Sequence, residues 1–235
     1  MKTLVLKADK AAIASAVRIL RRGGLAAFPT ETVYGLGARA FDAAAARGIY
    51  RAKGRPPDNP LIVHICDEDM LKPVARRITP LARRLMSAFW PGPLTLILDK
   101  SPAVPSAVTA GHRTVAVRCP GHPVARALIR ALGEPIAAPS ANRSGRPSPT
   151  AAAHVLRDLR GRVSLILDGG PCRKGLESTI IDARGHRPVL LRPGTISIEA
   201  IARAAGVRLA AASRRAPPAP GGRHPHYAPS CRVIL

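Results

Sequence analysis

Apolar residues follow two periods along this chain, one helical and one extended. Over residues 11–22, Ile13, Val17 and Leu20 recur at helical spacing with Arg18, Arg21 and Arg22 between them, and Gly23-Gly24 closes the stretch. Comparable stretches predict helices over 43–52, 79–88, 123–132, 150–159 (with Thr150 as cap) and 198–205. Short apolar runs bounded by Pro, Gly or Asp predict strands over 25–28, 61–65, 94–98, 135–138, 163–167, 177–181 and 189–192. Thr114 to Arg118 alternates, so Val115 and Val117 share one face and Thr114, Ala116 and Arg118 the other. Residues 104–112, rich in small side chains, read as a loop. The succession of strands and helices is that of an α/β chain.

Between these elements lie polar segments that follow strand ends, where open α/β sheets bind ligands. Thr30-Glu31-Thr32-Val33-Tyr34-Gly35-Leu36-Gly37 offers hydroxyls, a carboxylate and two glycines, and reads as a tight turn after a strand. Lys53-Gly54-Arg55-Pro56-Pro57-Asp58-Asn59-Pro60 is a rigid basic loop, because proline fixes φ and removes a donor. Either an ordinary basic turn or a phosphate cradle fits it. Pro139 to Thr150 again mixes hydroxyls, Gly, Pro and Arg after a strand. Arg118 carries the fork that takes a carboxylate or phosphate bidentately, and a surface arginine is the alternative. His64 by itself reads as a structural histidine and Trp90 as a packing anchor.

Composition adds charge. The 235 residues include 37 basic against 14 acidic ones, a formal net charge of +23. Such a field favours nucleotides and RNA, although an arginine-rich codon bias produces the same count. Cys66, Cys119, Cys172 and Cys231 are widely spaced, which suggests neither zinc nor a disulfide framework. Residues 1–7 are too short an apolar run for a signal peptide, and no run approaches the ~20 apolar residues that span a bilayer, so a soluble cytoplasmic protein without membrane partners is expected. Residues 210–222 are rich in Ala, Pro, Gly and Arg and read as a linker. His224 and His226 lack further clustered ligands, so no metal site is expected. No Ser/His/Asp set or paired carboxylates stand out, which leaves positioning and electrostatic stabilisation as the means of any catalysis.

Taken together, the segments Phe28 to Gly37, Lys53-x-Arg55 through Asn59 to His64, Trp90 to Thr95, Val115 to Arg118, Ala138 to Asn142 and Glu177 to Ile180 resemble the YrdC-like threonylcarbamoyl-AMP synthases, in order over about residues 5 to 208. The resemblance implies an open, twisted, mixed β-sheet flanked by helices, as in DHBP-synthase-like folds, and a catalytic domain over 1–209. It implies conversion of L-threonine, bicarbonate and ATP to threonylcarbamoyl-AMP and pyrophosphate, with Mg²⁺ carried on the ATP phosphates. The product serves the threonylcarbamoyl-transferase complex that modifies tRNA. By position, Thr32, His64, Arg118, Ala138 and Ser178 fall on the threonine site. Arg55, Asn59, Thr114, Ser140, Ser148, Arg192 and Tyr227 fall on the ATP site, and Lys53 and Arg55 are the expected catalytic cations.

The tail, Pro220 to Pro229, keeps the ends of a motif found in longer family members and loses its middle. The expectation is a long form without its C-terminal domain, in which residues 223–235 fold back and set Tyr227 over the nucleotide. The competing reading is a non-catalytic binder of double-stranded RNA or tRNA, for which the charge alone would suffice.

Overall fold

The structure, a computed structural model, describes residues 2–210 and 217–221. The chain runs β1 (Leu4–Lys7), α1 (Lys10–Arg21), β2 (Ala26–Phe28), β3 (Gly35–Arg39), α2 (Ala43–Lys53), β4 (Ile62–His64), a short 3₁₀ turn (Asp69–Leu71), α3 (Pro80–Phe89), β5 (Leu94–Asp99), α4 (Ser106–Thr109), β6 (Thr114–Arg118), α5 (Pro123–Leu132), β7 (Ile136–Ala138), α6 (Ala152–Leu159), β8 (Leu165–Asp168), β9 (Thr179–Asp182), β10 (Val189–Arg192) and α7 (Ile198–Ala205). The strands form one ten-stranded sheet in the order β1-β8-β2-β3-β7-β4-β6-β5-β9-β10. It is mixed: β1 and β2 run parallel to β8, β4 to β6 and β5 to β9, while the remaining neighbours are antiparallel.

Strand alternation sorts the side chains into two faces. On one, Ala27, Leu36, Val63, Val117, Leu96 and Ile181 join a core with residues of α2, α3, α4, α6 and α7. The opposite face is only half roofed by helices. There α1 and α5 cover Phe28, Ile136, Ala138, Leu165 and Leu167. Further along, Ile62, Ala116, Ile97 and Ile180 form a separate cluster with Ala219, and no helical residue belongs to it. A patch of sheet without a covering helix, crossed by an extended segment, is where a cavity opens.

Four local readings differ from the sequence expectations. Residues 35–39 are a strand: glycine is a poor strand former, but Phe28 and Ile136 so crowd Gly37 that a Cβ there would come within 2.8 Å of each. Residues 4–7 are an edge strand whose exposed side chains gave no alternating signal. Within 104–112, Ser106–Thr109 make one helical turn. Thr150 does not cap α6; the N-cap is Ala151, and Thr150 Oγ1 lies 3.3 Å from His154 Nδ1.

One irregularity matters for the site. Leu190 pairs with Ile181 and Arg192 with Ile180, so Leu191 is an extra residue, a β-bulge. Leu190 packs with the helix-side core, Leu191 packs with the open cluster, and Arg192 lines the cavity.

Candidate active site

At the edge of the open patch, where Ile62 lines it, lies a cavity with an empty volume of about 500 Å³, mouth included. Alternation in β4, β6 and β7 puts His64, Arg118 and Ala138 on its side, and the loop entering β9 adds Ser178.

Arg118 is buried and held on several sides. Its Nε–H donates to Gly92 O at 3.2 Å, in the Trp90–Pro93 turn, and Nη1 donates to Thr32 Oγ1 at 2.9 Å. Thr30 Oγ1 donates to Val33 O at 2.6 Å, so Thr32 supplies the proton in the 2.8 Å contact between the two hydroxyls. The chain Arg118→Thr32→Thr30→Val33 fixes both the guanidinium and the Thr32 hydroxyl. Trp90 itself donates Nε1–H to Leu94 O at 2.8 Å, which anchors that turn.

Glu31 Oε1 lies 2.7 Å from Arg118 Nη2. The pair is close but off-line: neither Glu31 oxygen nor Arg118 Nη2 makes an aligned hydrogen bond among the described residues. Burial raises the Glu31 carboxyl, but Arg118 and nearby backbone amides outweigh it and hold the group below its usual value. In the sequence Glu31 is a carboxylate in a polar turn, without an assigned role. Pairing with Arg118, 87 positions away, has no local signature.

His64 is buried, its ring edge-on to Phe28 at 6.1 Å between centroids. Burial, reinforced by Arg118, pushes it down to about 3, so it is a neutral imidazole. In that state Nδ1–H donates to Ile62 O at 3.1 Å.

The other end of the cavity is cationic. Arg55 donates from Nε to Asn59 O at 3.0 Å, and from Nη2 to Asn59 Oδ1 at 2.6 Å and Pro60 O at 2.7 Å, curling its own loop around the guanidinium. Burial, with Arg192 acting in the same direction, pushes it down to about 10, still charged at neutral pH. Arg192 reaches Ser178 O at 2.9 Å and Ser178 Oγ at 3.1 Å, and Ser178 Oγ meets Thr95 Oγ1 at 2.7 Å. Ser178 thus joins Arg192 to Thr95, the residue that pairs with Arg118 across β5 and β6. Its backbone is crowded by Gly194, where a Cβ would fall 2.4 Å from Thr179 N.

The segment 217–221 closes one side. Pro220 O accepts from Arg192 Nη1 at 3.1 Å, Gly221 N donates to Asn59 Oδ1 at 3.0 Å, and Pro220 and Gly221 line the cavity.

The structure therefore brings Thr32, His64, Arg118, Ala138, Ser178, Arg55, Ser140 and Arg192 to one cavity. Asn59 stands one bond behind, through Arg55 and Gly221. Ser148 donates to Glu177 Oε1 at 2.6 Å, and Glu177 lines the cavity without having been expected. Thr114, at the far end of β6 from Arg118, lies in an adjoining groove with Pro218 and Pro220. Tyr227 lies outside the described residues. Lys53 does not line the cavity. Its buried Nζ donates to Ser140 O at 2.6 Å and to Asn142 O, so it holds the Pro139–Asn142 loop from behind. Burial, then Arg55, pushes Lys53 well down.

The Cys66, Cys119 and Cys172 thiols are each pushed up to about 11 by burial, which leaves them protonated and unreactive at neutral pH. Among the described residues, no helix is long and apolar enough to cross a membrane, and no three His, Cys, Asp or Glu side chains gather where a metal ion would sit.

Comparison with known proteins bears on this cavity. The model of the Sua5_yciO_yrdC family, described as "Telomere recombination", matches residues 18–194. The chain is 51% identical over 225 residues to the threonylcarbamoyl-AMP synthase of Pyrococcus abyssi, covering 94% of this chain and 66% of that protein. It is 50% identical over 228 residues to the enzyme of the same name from Bacillus subtilis, covering 95% of this chain and 66% of that protein. The crystal structure of P. abyssi Sua5 complexed with L-threonine superposes with a TM-score of 0.90 at 48% identity, covering 97% of this chain and 69% of that one. The chain spans just under two thirds of the length of these curated relatives. A family match over most of its residues, with relatives half identical across nearly all of it, shows that the chain belongs to the Sua5/YciO/YrdC family.

Proposed function

We propose that the chain is an L-threonylcarbamoyladenylate synthase, a nucleotidyltransferase joining L-threonine, bicarbonate and ATP with release of pyrophosphate. The observation that carries the reading is the sharing of one cavity by Arg118, His64 and Thr32 at one end and Arg55, Ser140 and Arg192 at the other. Arg118 suits the threonine carboxylate and Thr32 a hydroxyl or carboxylate partner. The threonine ammonium gives up a proton to solvent, and the free amine nitrogen attacks the carbon of bicarbonate; a C–N bond forms and water leaves, giving a carbamate. A carbamate oxygen then attacks the α-phosphorus in line, and the bond to pyrophosphate breaks with its electron pair on the leaving oxygen. Arg55 and Arg192 offset charge developing on the phosphate oxygens, and Ser178, in contact with Arg192, ties the two ends into one geometry.

Glu177 is the acidic residue lining the cavity and already accepts from Ser148, which suits an ion carried on the nucleotide better than one bound by the protein. Mg²⁺ arriving with ATP adds charge neutralisation when bound. In this reading Lys53 positions the Ser140 loop. The labile product passes to the complex that transfers the threonylcarbamoyl group to tRNA in the cytoplasm, and the basic surface favours a tRNA contact.

The test is pyrophosphate release on incubation with L-threonine, bicarbonate and Mg·ATP. Release that needs all three, and a threonylcarbamoyl-AMP product by mass spectrometry, is expected. Tight RNA binding without threonine-dependent release would favour the non-catalytic alternative and overturn the synthase.

A further inference from the structure

The two ends of the cavity differ in charge, and the difference rests on one residue outside it. At the ATP end Arg55 and Arg192 both line the wall. Beside Thr32 and His64, Arg118 is the arginine that lines the cavity among the described residues, neutral His64 adds no charge, and the Cys172 thiol nearby is protonated. Glu31 does not line this cavity. It lines a second one, with Gly121, His122, Asp168 and Arg173, and so meets the Arg118 guanidinium from behind. Lys7 and Arg173 on that second wall are exposed, and solvent screens them.

We infer that Glu31 is a specificity-determining positioning residue: by neutralising Arg118 from behind, it makes this end of the cavity accept a zwitterion and refuse phosphate. The inference rests on the synthase reading above. An arginine in a buried pocket binds phosphate as readily as carboxylate. Unbalanced, Arg118 would draw the phosphate groups that Arg55 and Arg192 are there to hold. With Glu31 2.7 Å away the Arg118 charge is balanced, which suits an amino acid carrying one carboxylate and one ammonium. A multiply charged phosphate meets the Glu31 charge and is disfavoured. Because the contact is off-line, Arg118 Nη2 makes no aligned hydrogen bond among the described residues, so it has N–H capacity left for a guest carboxylate while Nε and Nη1 keep Gly92 O and Thr32 Oγ1. Glu31 is fixed from its own backbone: its carbonyl accepts from Lys174 N at 2.9 Å, and neighbouring Thr32 O from Gly175 N at 3.1 Å.

The experiment titrates L-threonine calorimetrically into the wild type, Glu31→Gln, Glu31→Ala and Glu31→Asp, each with and without inorganic phosphate. In the wild type and Glu31→Asp, phosphate is expected to leave threonine affinity unchanged while weakening ATP binding. In Glu31→Gln and Glu31→Ala, the same phosphate concentration is expected to weaken threonine at least fivefold, as a competitor. A merely structural role would weaken threonine equally with and without phosphate, and that result overturns the inference. So does phosphate competing with threonine in the wild type, a measurement that needs no variant to fold. A wild type that binds no threonine at all sinks the synthase reading itself, which is a separate outcome.

Discussion

At the scale of single residues, the site depends on buried polar groups whose partners are distant in sequence. His64 has a folded value near 3 against about 6.5 when unfolded. Above pH 6.5 the imidazole is neutral in both states and pH has no leverage through it. As pH falls from 6.5 towards 3 the unfolded chain takes up a proton that the folded one refuses, so stability drops, by on the order of a few kcal/mol at the lower limit. Denaturant titrations of His64→Gln should therefore show a flatter acid limb across that window; a limb parallel to the wild type would refute the buried neutral imidazole. Lys53 gives a second prediction. Lys53→Met strips donors from Ser140 O and Asn142 O and should cost about 2 kcal/mol. Because the loop carries both Ser140 and, through β7, Ala138, affinity for ATP and for threonine should fall together. Loss of ATP binding alone would instead place the ammonium on the phosphates. Residue types such as Arg118 and Arg55 could be read as chemistry from the sequence, because a guanidinium beside small residues invites an anion. Glu31 and Glu177 could not, since what they do depends on Arg118 and Ser148, which only folding brings near.

At the scale of elements, the legible parts were those with a strong period. α1, α5 and β6 follow from spacing alone. The strand at 35–39 did not, because glycines that make room for Phe28 look like turn residues in a linear reading. Gly194 belongs here as well. Its Cα faces the backbone of Glu177 to Thr179 so closely that any side chain must push that loop away, at a cost of about 1–3 kcal/mol. Gly194→Ala is expected to keep its secondary structure by circular dichroism and to lose threonine affinity at least tenfold, through displacement of Ser178. An unchanged affinity would mean that the loop yields without moving the hydroxyl.

At the scale of the whole molecule, the charge of +23 and the half-roofed sheet act together. The electrostatic field draws a polyphosphate but has little hold on a zwitterion. Stopped-flow association of Mg·ATP should slow markedly between about 50 and 200 mM salt as screening shortens the field's reach, with threonine association nearly constant. Equal salt sensitivity of the two would contradict a cavity that is cationic at one end only. The general basic character was plain from composition. Its division within one cavity was not, since that requires knowing which arginine has a carboxylate behind it.

The bulge in β10 has a consequence of parity. Along a regular strand, residues of even and odd number part to opposite faces, so Arg192 and Leu190 would share one. The pairing of Leu190 with Ile181 and Arg192 with Ile180 breaks that rule by one step. A chain lacking Leu191 would make the same two pairs without interruption, and the arginine would keep its side. Deletion of Leu191 should accordingly leave ATP affinity nearer to wild type than Arg192→Ala does, as equilibrium dialysis would show. If both variants lose ATP equally, the local twist of the strand matters as much as the counting. Otherwise the spare residue is a frame correction, which lets an arginine at an even position serve a face that the strand's arithmetic assigns to odd ones.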